Sequence, residues 1–275
     1  MQVSISIDIG IREIRQLTGF IREKHGVDLS EYALTSFKRR LEKFLIENKY
    51  GLDTLFYKLE SKEFLDHFMG CIAVGATEIF RDPTFWILLK NIYLANIFKE
   101  HSKARIWLPI CASGEEFYSL TILLKESGCT EQTEIFVSSM SNETLETIQR
   151  GWMMYEKLEI SVKNYSRFQG ARQLTDYFKN TENGILFDRS LFVNTQFFKE
   201  GLDFEHILPP MNLILFRNQL IYFNPNLQHK VCDLLYNKLS PKGLLALGIL
   251  EEMDLNINNN FTSLNKEESI YQRKI

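Results

Sequence analysis

One stretch, Arg105–Leu124 (RIWLPICASGEEFYSLTILL), constrains the fold of this chain more than any other. The apolar run Ile106–Ile110 predicts a strand, and Cys111-Ala112-Ser113-Gly114 predicts a tight turn of small residues. Glu115 and Glu116 then open an amphipathic helix with Leu120, Leu123 and Leu124 on one face. Strand, small-residue turn and helix start make the first βα unit of a doubly wound sheet. The turn lets a ligand approach the backbone, and the helix start offers unpaired N–H groups. Two carboxylates in the first turn suit the helix dipole but repel a phosphate, so a ligand carrying positive charge fits better than a dinucleotide.

Before this unit the pattern is helical. Ile14, Leu17 and Ile21 repeat at helical spacing, Gly26 ends that helix, and Asp28-Leu-Ser-Glu31 reads as a capping box for the next. In the second helix Phe37, Leu41, Phe44 and Leu45 form the buried stripe, with Lys38, Arg39, Arg40 and Lys43 around it. Short helices are expected over Leu52–Lys58 and Lys62–Val74, then a junction, Gly75–Pro83, and a helix from Thr84 to Lys99. After the central unit come a strand at Glu134–Ser138, a helix at Asn142–Gly151 and an irregular, aromatic segment from Trp152 to Gly184. Ile185–Phe198 holds one or two strands. Asn212–Phe216 reads as a strand buried on both faces, followed by a helix over Asn226–Leu239. A Ser-Pro-Lys-Gly turn leads to a strand at Leu244–Gly248, and an Asn-rich tail ends in an antiparallel closing strand near Ser269–Lys274. The expected architecture is a small all-α domain over residues 1–80 and an α/β domain over residues 81–275, with a mostly parallel sheet and ligands at the carboxyl ends of its strands.

A net charge of −3 over 275 residues gives no global basic field for nucleic acid. Cys71, Cys111, Cys129 and Cys232 are scattered without a CxxC pair, and the five histidines show no metal spacing. No metal is expected. Neither a secretion signal nor a run of about 18 apolar residues is found, so a cytoplasmic monomer with reduced thiols is expected, without membrane insertion.

Five motifs in order carry a resemblance: HGVDLSEY with its basic second helix, TEIFRDP, ICASGEEFYSL, LFRNQLIYF and LSPKGLLALG. Together they resemble the chemotaxis receptor methyltransferase (CheR) family over nearly the whole chain. The resemblance implies a Rossmann-like methyltransferase fold and methyl transfer from S-adenosylmethionine to glutamate side chains on chemoreceptor helices. It implies that Thr77, Arg81, Gly114, Glu115, Asn218 and Gln219 hold the cofactor, with Glu115 facing its amino group. Arg81 would also hold a carboxylate through paired donors, and Tyr222 would offer a hydroxyl to the reaction. The chemistry needs no general base, since a glutamate with a reference pKa of about 4.3 is already ionised near neutral pH.

Four departures from the family pattern bear on cofactor binding. Ile110 stands where the family has a glycine, and Ser139 where it has the acid that holds the ribose. Ser139 offers only a weaker neutral contact. Gln196-Phe197 replaces an Asn-Leu pair, again as cofactor contacts, and Gly75 replaces an Asn. Two functions stay open: an active protein-glutamate methyltransferase, and a CheR-like signalling module in which cofactor binding is weak or lost. In either, Lys38, Arg39, Arg40 and Lys43 are expected to dock an acidic receptor helix or a related acidic signalling protein. The competing reading of these cations is a solvated helix face.

Overall fold

The computed structural model describes residues 8–72, 77–254 and 259–274. Gly75, the end of the expected fourth helix and the start of the Asn-rich tail lie outside the described residues. The chain opens with helices α1 (Ile11–His25), α2 (Leu34–Asn48), α3 (Leu52–Lys58) and α4 (Lys62–Ile72). Among the described residues no strand precedes Thr77. In α1, Ile14, Leu17 and Ile21 are buried, and Gly26 ends the helix at φ 75°, donating its N–H to Arg22 O. The second helix starts later than its apparent capping box. Tyr32 forms a β-bridge with Phe223, and Ala33 N–H donates to Tyr222 O at 2.8 Å. The backbone that a helix start would use is thereby committed to the far end of the sequence.

Helices α5 (Pro83–Leu88) and α6 (Ala95–Glu100) are joined through a π-helical turn, Leu89–Leu94, into one rod. There follow β1 (Ala104–Leu108), α7 (Glu115–Glu126), β2 (Thr133–Ser139) and α8 (Asn142–Arg150). The segment expected to be irregular holds β3 (Trp152–Met153), a full helix α9 (Leu158–Phe168), and β4 (Phe178–Asn180). Next come β5 (Ile185–Phe187), β6 (Thr195–Lys199), β7 (Met211–Leu215), α10 (Pro225–Lys238), β8 (Leu239–Ala246), β9 (Phe261–Asn265) and β10 (Ile270–Arg273). The main sheet has seven strands in the order β6-β2-β1-β7-β8-β10-β9, and β3, β5 and β4 form a small antiparallel ribbon. From β6 to β8 all pairings are parallel; β10 runs antiparallel between β8 and β9. The fold is a mostly parallel α/β methyltransferase sheet with an antiparallel closing strand. Two strand boundaries differ from expectation. The β8 strand runs back through Ser240-Pro241-Lys242-Gly243, where its register against β7 shifts, and β9 occupies part of the polar tail.

The strands alternate between two buried clusters, as the two-residue period of a pleated strand requires. Trp107, Phe136 and Ile214 face the side covered by α1, α2, α4 and α10. Ile106, Leu108, Val137, Leu213 and Leu215 face the side covered by α5, α7 and α9. The N-terminal helices share one continuous core with a face of the sheet. Among the described residues no helix is long and apolar enough to cross a membrane.

Candidate active site

The carboxyl ends of β1, β2 and β7 meet the N-terminus of α7 and the junction that precedes α5. The turn 111–114 is fixed by its backbone: Cys111 N–H donates to Ser138 O at 2.6 Å, which ties it to β2. Gly114 sits at φ 95°, and a Cβ there would lie 2.9 Å from the Tyr118 ring. Only glycine meets both constraints. Two cavities flank this turn, and Ala112 lines both. The larger, of about 330 Å³, is bordered by Ser113, Glu115, Ser141, Glu143 and Lys157. The smaller, of about 30 Å³, is bordered by Thr77, Arg81, Gly114, Glu116, Arg217, Asn218, Gln219 and Tyr222. The structure thus brings together seven residues expected to form the site: Thr77, Arg81, Gly114, Glu115, Asn218, Gln219 and Tyr222.

The smaller cavity is framed by a charged brace. Arg217, with 2% of its side chain accessible, holds Asp82 at 2.7 Å and Glu116 at 3.1 Å, and its guanidinium stacks 4.0 Å from the Phe85 ring centroid. One arginine therefore joins the junction, the start of α7 and the end of β7. Burial pushes the Glu116 carboxyl up to about 7, against the opposing pull of Arg217. Glu251, also buried, accepts N–H bonds from Asn218 and Gly248 at 2.7 Å and from Ile221 at 3.2 Å. It shapes the loop that presents Asn218 and Tyr222, and burial raises its pKa despite those donors. Gln219 donates to the carbonyls of Pro109 and Ile110 at 3.4 and 2.9 Å. The junction is latched from behind by α9: Ser161 Oγ accepts Ile79 N–H, Asn164 donates to Ile79 O, and Phe80 stacks on Phe168.

Four of the non-glycine residues with positive φ lie in or beside this crevice: Phe80 at 52°, Asp82 at 55°, Ile110 at 54° and Asn218 at 58°. Such conformations persist where the surroundings over-determine them, and they concentrate at functional sites. Ile110 keeps a backbone suited to glycine, and its side chain packs into the core against the sheet, away from both cavities. The bulk expected to hinder a ligand points elsewhere.

Several expected contacts are not brought into the crevice. Gln196 is exposed and Phe197 packs on Phe117, because both lie mid-strand in β6, opposite Phe136 and Val137. The β6 residue level with Ser139 is Lys199, so the expected alignment is three residues out of register. Ser139 ends β2 as expected but is buried, its carbonyl taken by Glu200 N–H at 2.9 Å, and it lines neither cavity. Arg40 does not join the docking surface. It turns inward, lies 4.2 Å from the Tyr222 ring centroid and donates to Ile72 O. Lys38 pairs with Asp8 and Glu42, Lys43 pairs with Glu47, and Arg39 is exposed. Arg217, Glu116 and Glu251 went unassigned in the sequence reading, and Lys157 was not singled out.

The crevice suits a polar ligand. Gln219 Oε1 and Arg217 Nε are buried without a hydrogen-bond partner, and both residues line the smaller cavity. A buried acceptor without a donor calls for one.

Residues 75–270 match the family described as CheR methyltransferase, SAM binding domain. Cher3, a methyltransferase-family protein of Pseudomonas putida, is 27% identical over 268 residues, covering 95% of this chain and 96% of its own. The chemotaxis protein methyltransferase of Listeria innocua is 26% identical, with 86% of this chain and 88% of its own covered. That of Escherichia coli is 24% identical, with 90% and 87% covered.

Proposed function

The chain belongs to the CheR methyltransferase family, with S-adenosylmethionine as its cofactor, and from that premise we propose that it methylates glutamate side chains on chemoreceptors. The observation that carries this reading is the crevice of Thr77, Arg81, Asn218 and Tyr222, braced by Arg217 and free of any histidine or cysteine base within it apart from the buried Cys111. Burial drives the Cys111 thiol upward in pKa, so it stays protonated. That set of groups fits a reaction in which no proton has to be removed.

When bound, the cofactor supplies an electrophilic methyl on a sulfonium sulfur. The work left to the chain is binding and alignment. Gly114 gives close access to the backbone at the start of α7, and Glu115 is the carboxylate for the amino group of the methionine end. Gln219 Oε1 is an acceptor for a donor in the smaller cavity. Arg81, with 34% of its side chain accessible and only a 3.9 Å contact to Glu78, is free to take an incoming carboxylate in a bidentate grip. Tyr222 borders the same cavity and orients the acceptor.

The test is transfer of labelled methyl from S-adenosylmethionine to a receptor cytoplasmic fragment. Base-labile label that disappears when the acceptor glutamates are changed to alanine is the expected result. Tight cofactor binding without label would instead support the signalling-module reading, which is favoured by one observation, the neutral and buried Ser139 where an acid is expected.

A further inference from the structure

The turn before α9 carries a second charge into the crevice. Lys157 ends a short 3-10 turn, and its Nζ lies 2.8 Å from Glu115 Oε1. The pair is sheltered, with 18% of the lysine side chain and 2% of the glutamate's accessible. The Ser113 hydroxyl donates to the other oxygen of the same carboxylate. Glu115 is therefore met on both oxygens by groups of this chain, and opposite charges at such a distance attract far more strongly in a sheltered site than in water.

We propose that Lys157 acts as an internal counter-ion in the seat of the cofactor's amino group, so that binding requires its displacement from Glu115 and this competition sets the affinity for ligands with an amino-acid end. The proposal rests on the reading that Glu115 receives that amino group. Two features make the displacement feasible. The backbone of Lys157 is anchored, since its carbonyl accepts from Ser161 Oγ, the same hydroxyl that holds Ile79 N–H. Only the flexible side chain has to move, and it borders the cavity of about 330 Å³ that also contains Glu143, whose side chain is 61% accessible. A displaced ammonium thus has a second carboxylate across the same space. Lys157 touches Glu115, so it is a positioning residue.

The test compares two ligands by equilibrium titration: S-adenosylhomocysteine, which carries the amino-acid end, and methylthioadenosine, which lacks it. Lys157→Met should bind S-adenosylhomocysteine about tenfold tighter or more, the scale of one charge-assisted hydrogen bond. Its affinity for methylthioadenosine should be unchanged, and Lys157→Arg should restore wild-type affinity for both. Lys157→Gln, which keeps a neutral donor to Glu115, serves the same comparison if the Met variant melts below the working temperature. Unchanged or weaker S-adenosylhomocysteine binding by the folded variant overturns the competition. The double variant Lys157→Met, Glu115→Gln separates the two readings. Weaker binding than Lys157→Met keeps the seat at Glu115, whereas equal binding removes the seat and the proposal together.

Discussion

Ile110 shows how a single position balances two opposed terms. Its left-handed backbone costs about 1–2 kcal/mol for an L-residue, while truncating a buried isoleucine costs about 2–5 kcal/mol. Burial wins, so Ile110→Gly should lower unfolding free energy in a urea titration by about 1–4 kcal/mol. Because the side chain faces the core, S-adenosylhomocysteine affinity should stay within about twofold, which isothermal titration checks. Glu116 supplies a pH signature. Its folded pKa of about 7 lies above the ordinary 4.5, so the folded chain holds the proton more tightly between those values. Stability then falls as pH rises across that window, and melting curves of Glu116→Gln should lose part of the slope. The glycine at 114 and its neighbouring acids were legible from residue type alone. The pairing of Glu115 with Lys157 was not, because the partners are separated by 42 positions and nothing local to either announces the other.

At the scale of elements, the basic second helix divides into two roles. Arg39 and Lys43 face solvent and can steer an acidic partner through a local positive field. Reversing both to Glu should weaken binding to receptor cytoplasmic fragments, with a loss that shrinks as salt rises and with no change in melting temperature. Arg40 belongs to the interior, and Arg40→Ala should instead lower stability by about 1–3 kcal/mol through lost stacking, packing and a carbonyl contact. Sequence spacing grouped these cations because a charge run carries no mark of which member turns inward. The strands of the central sheet were legible because each is a compact apolar run. Helix α9 was not, since its buried face includes Ser161 and Asn164 and so breaks the apolar period. The same polar residues are what latch the junction. In β6 the strand was visible but its register was not, because only pairing with β2 places Lys199, and not Gln196, beside Ser139.

For the whole molecule, the continuous core beneath the N-terminal helices argues for one cooperative unit. Deleting residues 1–72 would expose the apolar face around Trp107, Phe136 and Ile214, so the remainder should aggregate or lose near-ultraviolet dichroism, and the intact chain should melt in one transition. The order of helices before sheet was evident from the sequence, but their merger into one core was not, since periodicity identifies a buried stripe without naming what covers it. The contact of Arg40 with Tyr222, beside the bridge from Tyr32 to Phe223, then acquires a thermodynamic meaning. The helix that meets a partner and the ring that borders the cofactor share a contact, so the two binding events form a linkage. Whatever factor the cofactor confers on partner affinity, the partner returns to cofactor affinity in full. Arg40→Ala, measured in a four-state binding cycle, should bring that shared factor towards one from both directions.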